Sequence, residues 1–136
     1  MIRIRLATVL GAAILGAAML ALPLPVEAHH SDVMFEDKKE ITVEGVVKEF
    51  QYTNPHSWLL VDVTNKDGSV TTWGFEAEGP STLMRNKIRK SDFPFGTKLT
   101  ITGRPMKDGR PAAIWSKAVR EDGTEFYTSG RAPQPN

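Results

Sequence analysis

Cysteine is absent from the 136 residues, so no disulfide staples the fold and no thiolate is available as a metal ligand or nucleophile. Histidine is scarce, with three in all: His29, His30 and His56. An excess of either charge is lacking too, since 17 Lys and Arg face 16 Asp and Glu for a net +1. That balance argues against nucleic acid as a partner, which requires a clustered cationic footprint to displace counterions. No glycine loop of the phosphate-cradling kind occurs. Long apolar runs are missing as well, except for one at the start of the chain.

That run, Leu6 to Leu22, follows Arg3 and Arg5 and ends at Pro23, Pro25 and the small-x-small triplet Val26-Glu27-Ala28. A positive flank, an apolar stretch and such a triplet are the parts of a signal peptide, so residues 1–28 are expected to be removed on export to the periplasm or medium. An uncleaved membrane anchor is the alternative, because the run approaches the ~18–20 apolar residues that span a bilayer. Cleavage removes Arg3, Arg5 and Glu27, leaving fifteen charges of each sign. The remainder, residues 29–128, is expected to be one domain held by its own core and monomeric, without a membrane span. Residues 129–136, proline-bearing and without a core residue, are expected to form a disordered tail.

The order of elements follows from periodicity and turn chemistry. His29 to Glu40 reads as an arm packed by Val33, Met34 and Phe35. Ile41 to Phe50 alternates apolar and polar residues until Gly45, where the phase slips by one, and this suggests a bulge at that glycine. Trp58 to Asn65 places Leu59, Val61 and Val63 on one face. Lys66-Asp67-Gly68 is a hairpin signal, and Val70 to Ala77 returns with Trp73 and Phe75 on a shared face. Gly79 to Asn86 reads as a short helix running loosely to Ile88, with Pro80 near its first turn. Lys98 to Gly103 and Ala112 to Val119 are two more strands, and Asp122-Gly123 turns into Glu125-Phe126-Tyr127. Three strands, a helix and two or three strands, with a sharply bent first strand, spell an all-β, OB-like barrel of five to six strands whose helix plugs one end. A plain meander of the same strands is the alternative.

Between the first two strands lies Tyr52-Thr53-Asn54-Pro55-His56-Ser57-Trp58. Proline fixes its own φ and pushes Asn54 out of the helical region, so His56 sits on a stiff shoulder at the barrel rim. Cleavage after Ala28 would make His29 the first residue, with a free α-amine beside its own imidazole. Amine and Nδ1 of His29 can chelate one metal ion, and a second imidazole from His56, or from His30, completes a three-nitrogen site suited to copper. Asp32, Met34 and Glu76 are conceivable weak donors, and zinc would accept the same nitrogens with an added carboxylate or water. Cleavage one residue earlier, after Glu27, would give Ala28-His29-His30 instead, a copper motif that uses backbone amides.

Other residues are read as follows. Tyr52, Trp58 and Trp73 are candidates for a ligand face toward a cell-envelope partner, which would make the domain a non-enzymatic binding module. Glu76 and Glu78 share a strand face, read as solvated. Arg85, Lys87, Arg89 and Lys90 are read as a wet helix face. Ser81 has no base partner in sequence, and no catalytic constellation is present, so the chain is expected not to be an enzyme.

Taken together, Ala28-His29-His30-Ser31, Met34-Phe35, Asn54-Pro55-His56, Trp58, Trp73, Glu76, Phe95-Gly96 and Gly103-Arg104-Pro105 resemble an uncharacterised family, a domain of unknown function, of small exported bacterial proteins. The resemblance spans essentially all of the chain after Ala28. It implies an exported β-barrel and supplies no reaction, substrate or site.

Overall fold

The computed structural model describes residues 32–128. Their elements are β1 (Ile41–Gln51), β2 (His56–Thr64), β3 (Val70–Glu78), α1 (Pro80–Arg85), β4 (Lys98–Pro105), β5 (Ala112–Arg120) and β6 (Glu125–Tyr127), with single 3-10 turns at Asp32–Met34 and Lys90–Asp92. β2 and β3 form the hairpin that Asp67-Gly68 announces. Gly68 takes φ +86°, Asp67 Oδ1 accepts the Ser69 amide at 2.9 Å, and the ladder runs without a slip from Thr64 opposite Val70 to His56 opposite Glu78. Alternation puts Leu59 and Val61 fully inside, with Trp58, Leu60 and Asp62 outside.

β1 is the strand that both halves share. Its first part, Ile41 to Val46, pairs with Gly103 to Lys98 of β4, and its second part, Val46 to Gln51, pairs with Asp62 to Trp58 of β2. Closure comes from β5, which pairs with β4 and lies parallel to β3 at Gly74–Ala112, Phe75–Ala113 and Glu76–Ile114. The ring β1-β2-β3-β5-β4 is therefore a closed five-stranded barrel of the OB kind, and β6 adds to the edge of β5 beyond β3. The meander is excluded by the parallel closure.

Three local expectations need correction. The bulge of β1 extrudes Lys48, between Val47 and Glu49, rather than falling at Gly45. Gly45 is there for a different reason: β2 crosses so close that a Cβ would lie 2.5 Å from Val61 Cγ1 and 2.6 Å from the Asp62 carbonyl. The arm packs by Phe35 alone, buried and bridged to Met106, whereas Val33 and Met34 are 68 % and 47 % exposed. Finally, α1 stops at Arg85, so Lys87, Arg89 and Lys90 lie on the turns that follow it and not on a helix face.

Val47, Phe50, Leu59, Val61, Phe75, Ile101 and Trp115 fill the barrel. Leu83, Ile88 and Phe93 cover one end, with Phe93 5.3 Å from the Trp115 ring centre and 4.8 Å from that of Phe126. Each such side chain contributes about 1.5–3 kcal/mol by leaving water. None of the helices among the described residues is long and apolar enough to cross a membrane. The leader, the tail, His29 and His30 lie outside the described residues, as does the side chain of Asp32.

Candidate functional site

The β1–β2 turn is held from two sides. The Tyr52 hydroxyl lies 2.9 Å from the Ile88 carbonyl and 3.1 Å from that of Pro80, tying the turn to both ends of the helical segment. Burial raises the pKa of this phenol, the Asp92 charge adds to the rise and Arg89 opposes it, so Tyr52 stays a donor. Within the turn, whose Asn54–Pro55 bond is cis, Thr53 Oγ1 donates to the His56 carbonyl at 3.1 Å. The buried Ser57 hydroxyl donates back to the Thr53 carbonyl at 3.3 Å. On the other flank Gly79 abuts the turn, where a Cβ would stand 2.6 Å from Asn54 Oδ1 and 2.9 Å from the Pro55 carbonyl. His56 therefore begins β2 from a braced corner.

The outward faces of β2 and β3 carry His56, Trp58 and Leu60 opposite Glu78, Glu76 and Gly74. His56 reaches diagonally, and its Nδ1 is hydrogen-bonded to Oε1 of Glu76. A carboxylate oxygen accepts from a protonated Nδ1, and Nε2 is the ring nitrogen that this hydrogen bond leaves open. No other hydrogen bond holds the ring among the described residues, and the side chain is 36 % exposed. Glu76 itself is only 8 % exposed, which corrects its reading as part of a solvated face. Its register neighbours are Trp58 across the hairpin and Ile114 across the β3–β5 closure. Glu78 is half-buried, and its Oε2 is buried with no hydrogen-bond partner among the described residues. A carboxylate oxygen in that condition costs on the order of 1–3 kcal/mol and calls for a donor or a cation.

The three aromatic candidates do not form one surface. Tyr52 is the pin described above, and Trp73 faces inward, 6.2 Å from the Phe75 ring centre and packed on the core. Trp58 alone lies on the outer face, spread across Gly74, where a Cβ would stand 3.2 Å from its ring. Among the described residues no three His, Asp or Glu side chains converge closely enough to hold a metal ion. A metal ion on His56 would need further donors from outside this set.

Sequence reasoning gave Glu76 the part of a weak metal donor and missed its partnership with His56. The signal was present, because residues mirrored about Asp67 face each other across this hairpin. That mirror sets His56 against Glu78 and brings Glu76 within diagonal reach.

Fold and site together define a small OB-like β-barrel with a histidine–carboxylate pair at its rim. The chain belongs to DUF6152, a family of unknown function, whose model matches residues 17–115. No curated protein and no solved structure matches it.

Proposed function

We propose that this is an exported protein that binds copper, as carrier or buffer, through the amine and imidazole of a mature amino-terminal His29 and Nε2 of His56. One observation carries the reading: Nδ1 of His56 is hydrogen-bonded to Glu76 on a braced corner, which leaves Nε2 as the ring nitrogen turned away from that bond. Metal-ligating histidines have this arrangement, with the second nitrogen donating to a carboxylate that fixes tautomer and ring angle. Two further observations support it. Glu78, directly opposite His56, has a carboxylate oxygen that lacks a hydrogen-bond partner among the described residues. The arm is bound beside the barrel wall that leads to Glu76: the Glu36 amide donates to the Pro105 carbonyl at 2.9 Å and the Lys107 amide to that of Met34 at 2.9 Å. Arg104, Ile114 and Glu76 align across β4, β5 and β3, which puts about 10 Å between the outer two at the usual strand spacing. The arm lies one strand spacing beyond Arg104, beside Pro105 to Lys107, so the ~14 Å that four residue steps from Val33 back to His29 can span would be needed in full.

The test is a Cu(II) titration against a competing chelator on three chains: one starting at His29, one with a single residue added ahead of it, and His56→Ala. The first is expected to bind with a nitrogen-rich electron paramagnetic resonance spectrum and the other two at least a hundredfold more weakly. Equal affinity in all three would discard the site. Zinc fits the same nitrogens and is run alongside.

Trp58, laid across Gly74 on the β2–β3 face that OB barrels use for ligands, favours a second reading: a binding module for a cell-envelope partner. In that case Trp58→Ala abolishes capture of the partner while copper affinity and the unfolding curve stay unchanged.

A further inference from the structure

The segment from Pro80 to Thr97 crosses the end of the barrel and is fixed at both sides. Tyr52 holds it at Pro80 and Ile88, and the Gly96 amide donates to the Val47 carbonyl at 2.8 Å while Thr97 accepts the Val47 amide at 2.8 Å. Its inward side chains, Leu83, Ile88 and Phe93, are essentially fully buried. Between them it shows solvent two large apolar groups that the core does not use, Met84 at 61 % exposure and Phe95 at 84 %. Phe95 stands at the tip of the Pro94–Thr97 turn, where Gly96 takes φ +86°.

Four cations accompany them, Arg85, Lys87, Arg89 and Lys90, against one acid, Asp92. Asp92 is engaged within the segment, its Oδ2 accepting the Arg89 amide at 2.6 Å. Arg85 donates to Thr82 Oγ1 at 2.9 Å, and Lys87, Arg89 and Lys90 form no ion pair with a described residue. Elsewhere the described cations are largely matched: Lys48, Lys98, Arg110, Lys117 and Arg120 each lie within ion-pair distance of a carboxylate. An exposed phenylalanine and methionine on the same segment as unmatched cations, pinned to the barrel at both sides, is an arrangement that anionic lipid satisfies on both counts.

We infer that this end of the barrel docks on an anionic bilayer surface, with Phe95 and Met84 entering the headgroup layer and Lys87, Arg89 and Lys90 facing lipid phosphates. The inference is independent of copper. A bilayer is favoured over a soluble polyanion because the latter has no use for the two apolar side chains.

Vesicle flotation of the chain from His29 onward tests it, with phosphatidylcholine vesicles containing about 30 % phosphatidylglycerol compared with pure phosphatidylcholine. Binding is expected to the anionic vesicles alone. Each cation near the surface is worth about fivefold in partitioning, so K87E/R89E/K90E should weaken it by more than a hundredfold. Phe95→Ser should weaken it about tenfold. Lys66→Glu, on the β2–β3 turn, changes the net charge without touching the segment and should leave binding intact. Three results overturn the inference: no preference for anionic vesicles, a loss of binding with Lys66→Glu equal to that of a single reversal in the segment, or a charge effect without any effect of Phe95→Ser. The last would mark a polyanion site instead. Because Phe95 is outside the core, Phe95→Ser remains decisive even if the triple variant fails to fold.

Discussion

A single hydrogen bond decides what His56 can do. The hydrogen bond from Nδ1 to the buried Glu76 leaves Nε2 as the one nitrogen of that ring open to a ligand. Glu76→Ala should therefore lower copper affinity about 10–100-fold by freeing ring angle and tautomer, read by chelator competition. Glu76→Gln keeps an oxygen that accepts the Nδ1 proton and should retain most of the affinity, with altered copper hyperfine couplings. Burial of Glu76 was not legible in the sequence, because Ile114 comes from a strand brought in by the closure of the barrel. His56 was legible as a rim residue, because Asn54-Pro55 announces a turn whatever surrounds it.

At the scale of elements, glycine positions report contacts between strands and turns. Gly45→Ala forces a methyl to within 2.5 Å of Val61 Cγ1, and it should cost about 1–3 kcal/mol in urea unfolding as an overpacked site. Gly79→Ala presses on Asn54 and Pro55 instead, so its larger effect should fall on copper binding, through a displaced His56 corner, than on the unfolding midpoint. The β5–β6 turn has its own signature. Asp122 accepts the Thr124 amide at 2.9 Å and the Arg120 guanidinium at 2.7 Å, hydrogen bonds that lower its pKa from 3.8 to about 2. A folded value below the ordinary one means the support is complete above pH ~4 and lost as pH falls through about 2. Nuclear magnetic resonance titration of the Asp122 carboxyl should place its midpoint there, with exchange of the Thr124 amide rising in step. Alternation gave the inward set of β2 directly, since each face of a strand repeats every second residue. The bulge was misplaced because a phase slip in sequence tells that one residue is extra, while the pairing with β2 chooses Lys48 as the one extruded.

For the molecule as a whole, closure is the costly step. β1 must find β2 nearby and β4 far along the chain, and β3 meets β5 only after α1 and all of β4 have intervened. Such non-local pairing predicts refolding in milliseconds to seconds, not microseconds, followed by the fluorescence of the buried Trp115 after dilution from denaturant. Leu59→Ala, in the middle of the sealed core, should lose about 2–5 kcal/mol of stability in one cooperative transition. The class of barrel could be read from the order of strands and helix, because the connections limit the topologies. The parallel β3–β5 ladder could not, as nothing local in Gly74 or Ala112 marks the partner.

The Phe35–Met106 bridge gives the arm a fixed point of departure. A group attached a few residues ahead of it is on a short leash, and a leash of that length holds its cargo near the wall at an effective concentration on the order of millimolar. A weak donor on the leash can then act as a strong one. The same geometry makes a purification tag at that end an unwelcome competitor for the rim.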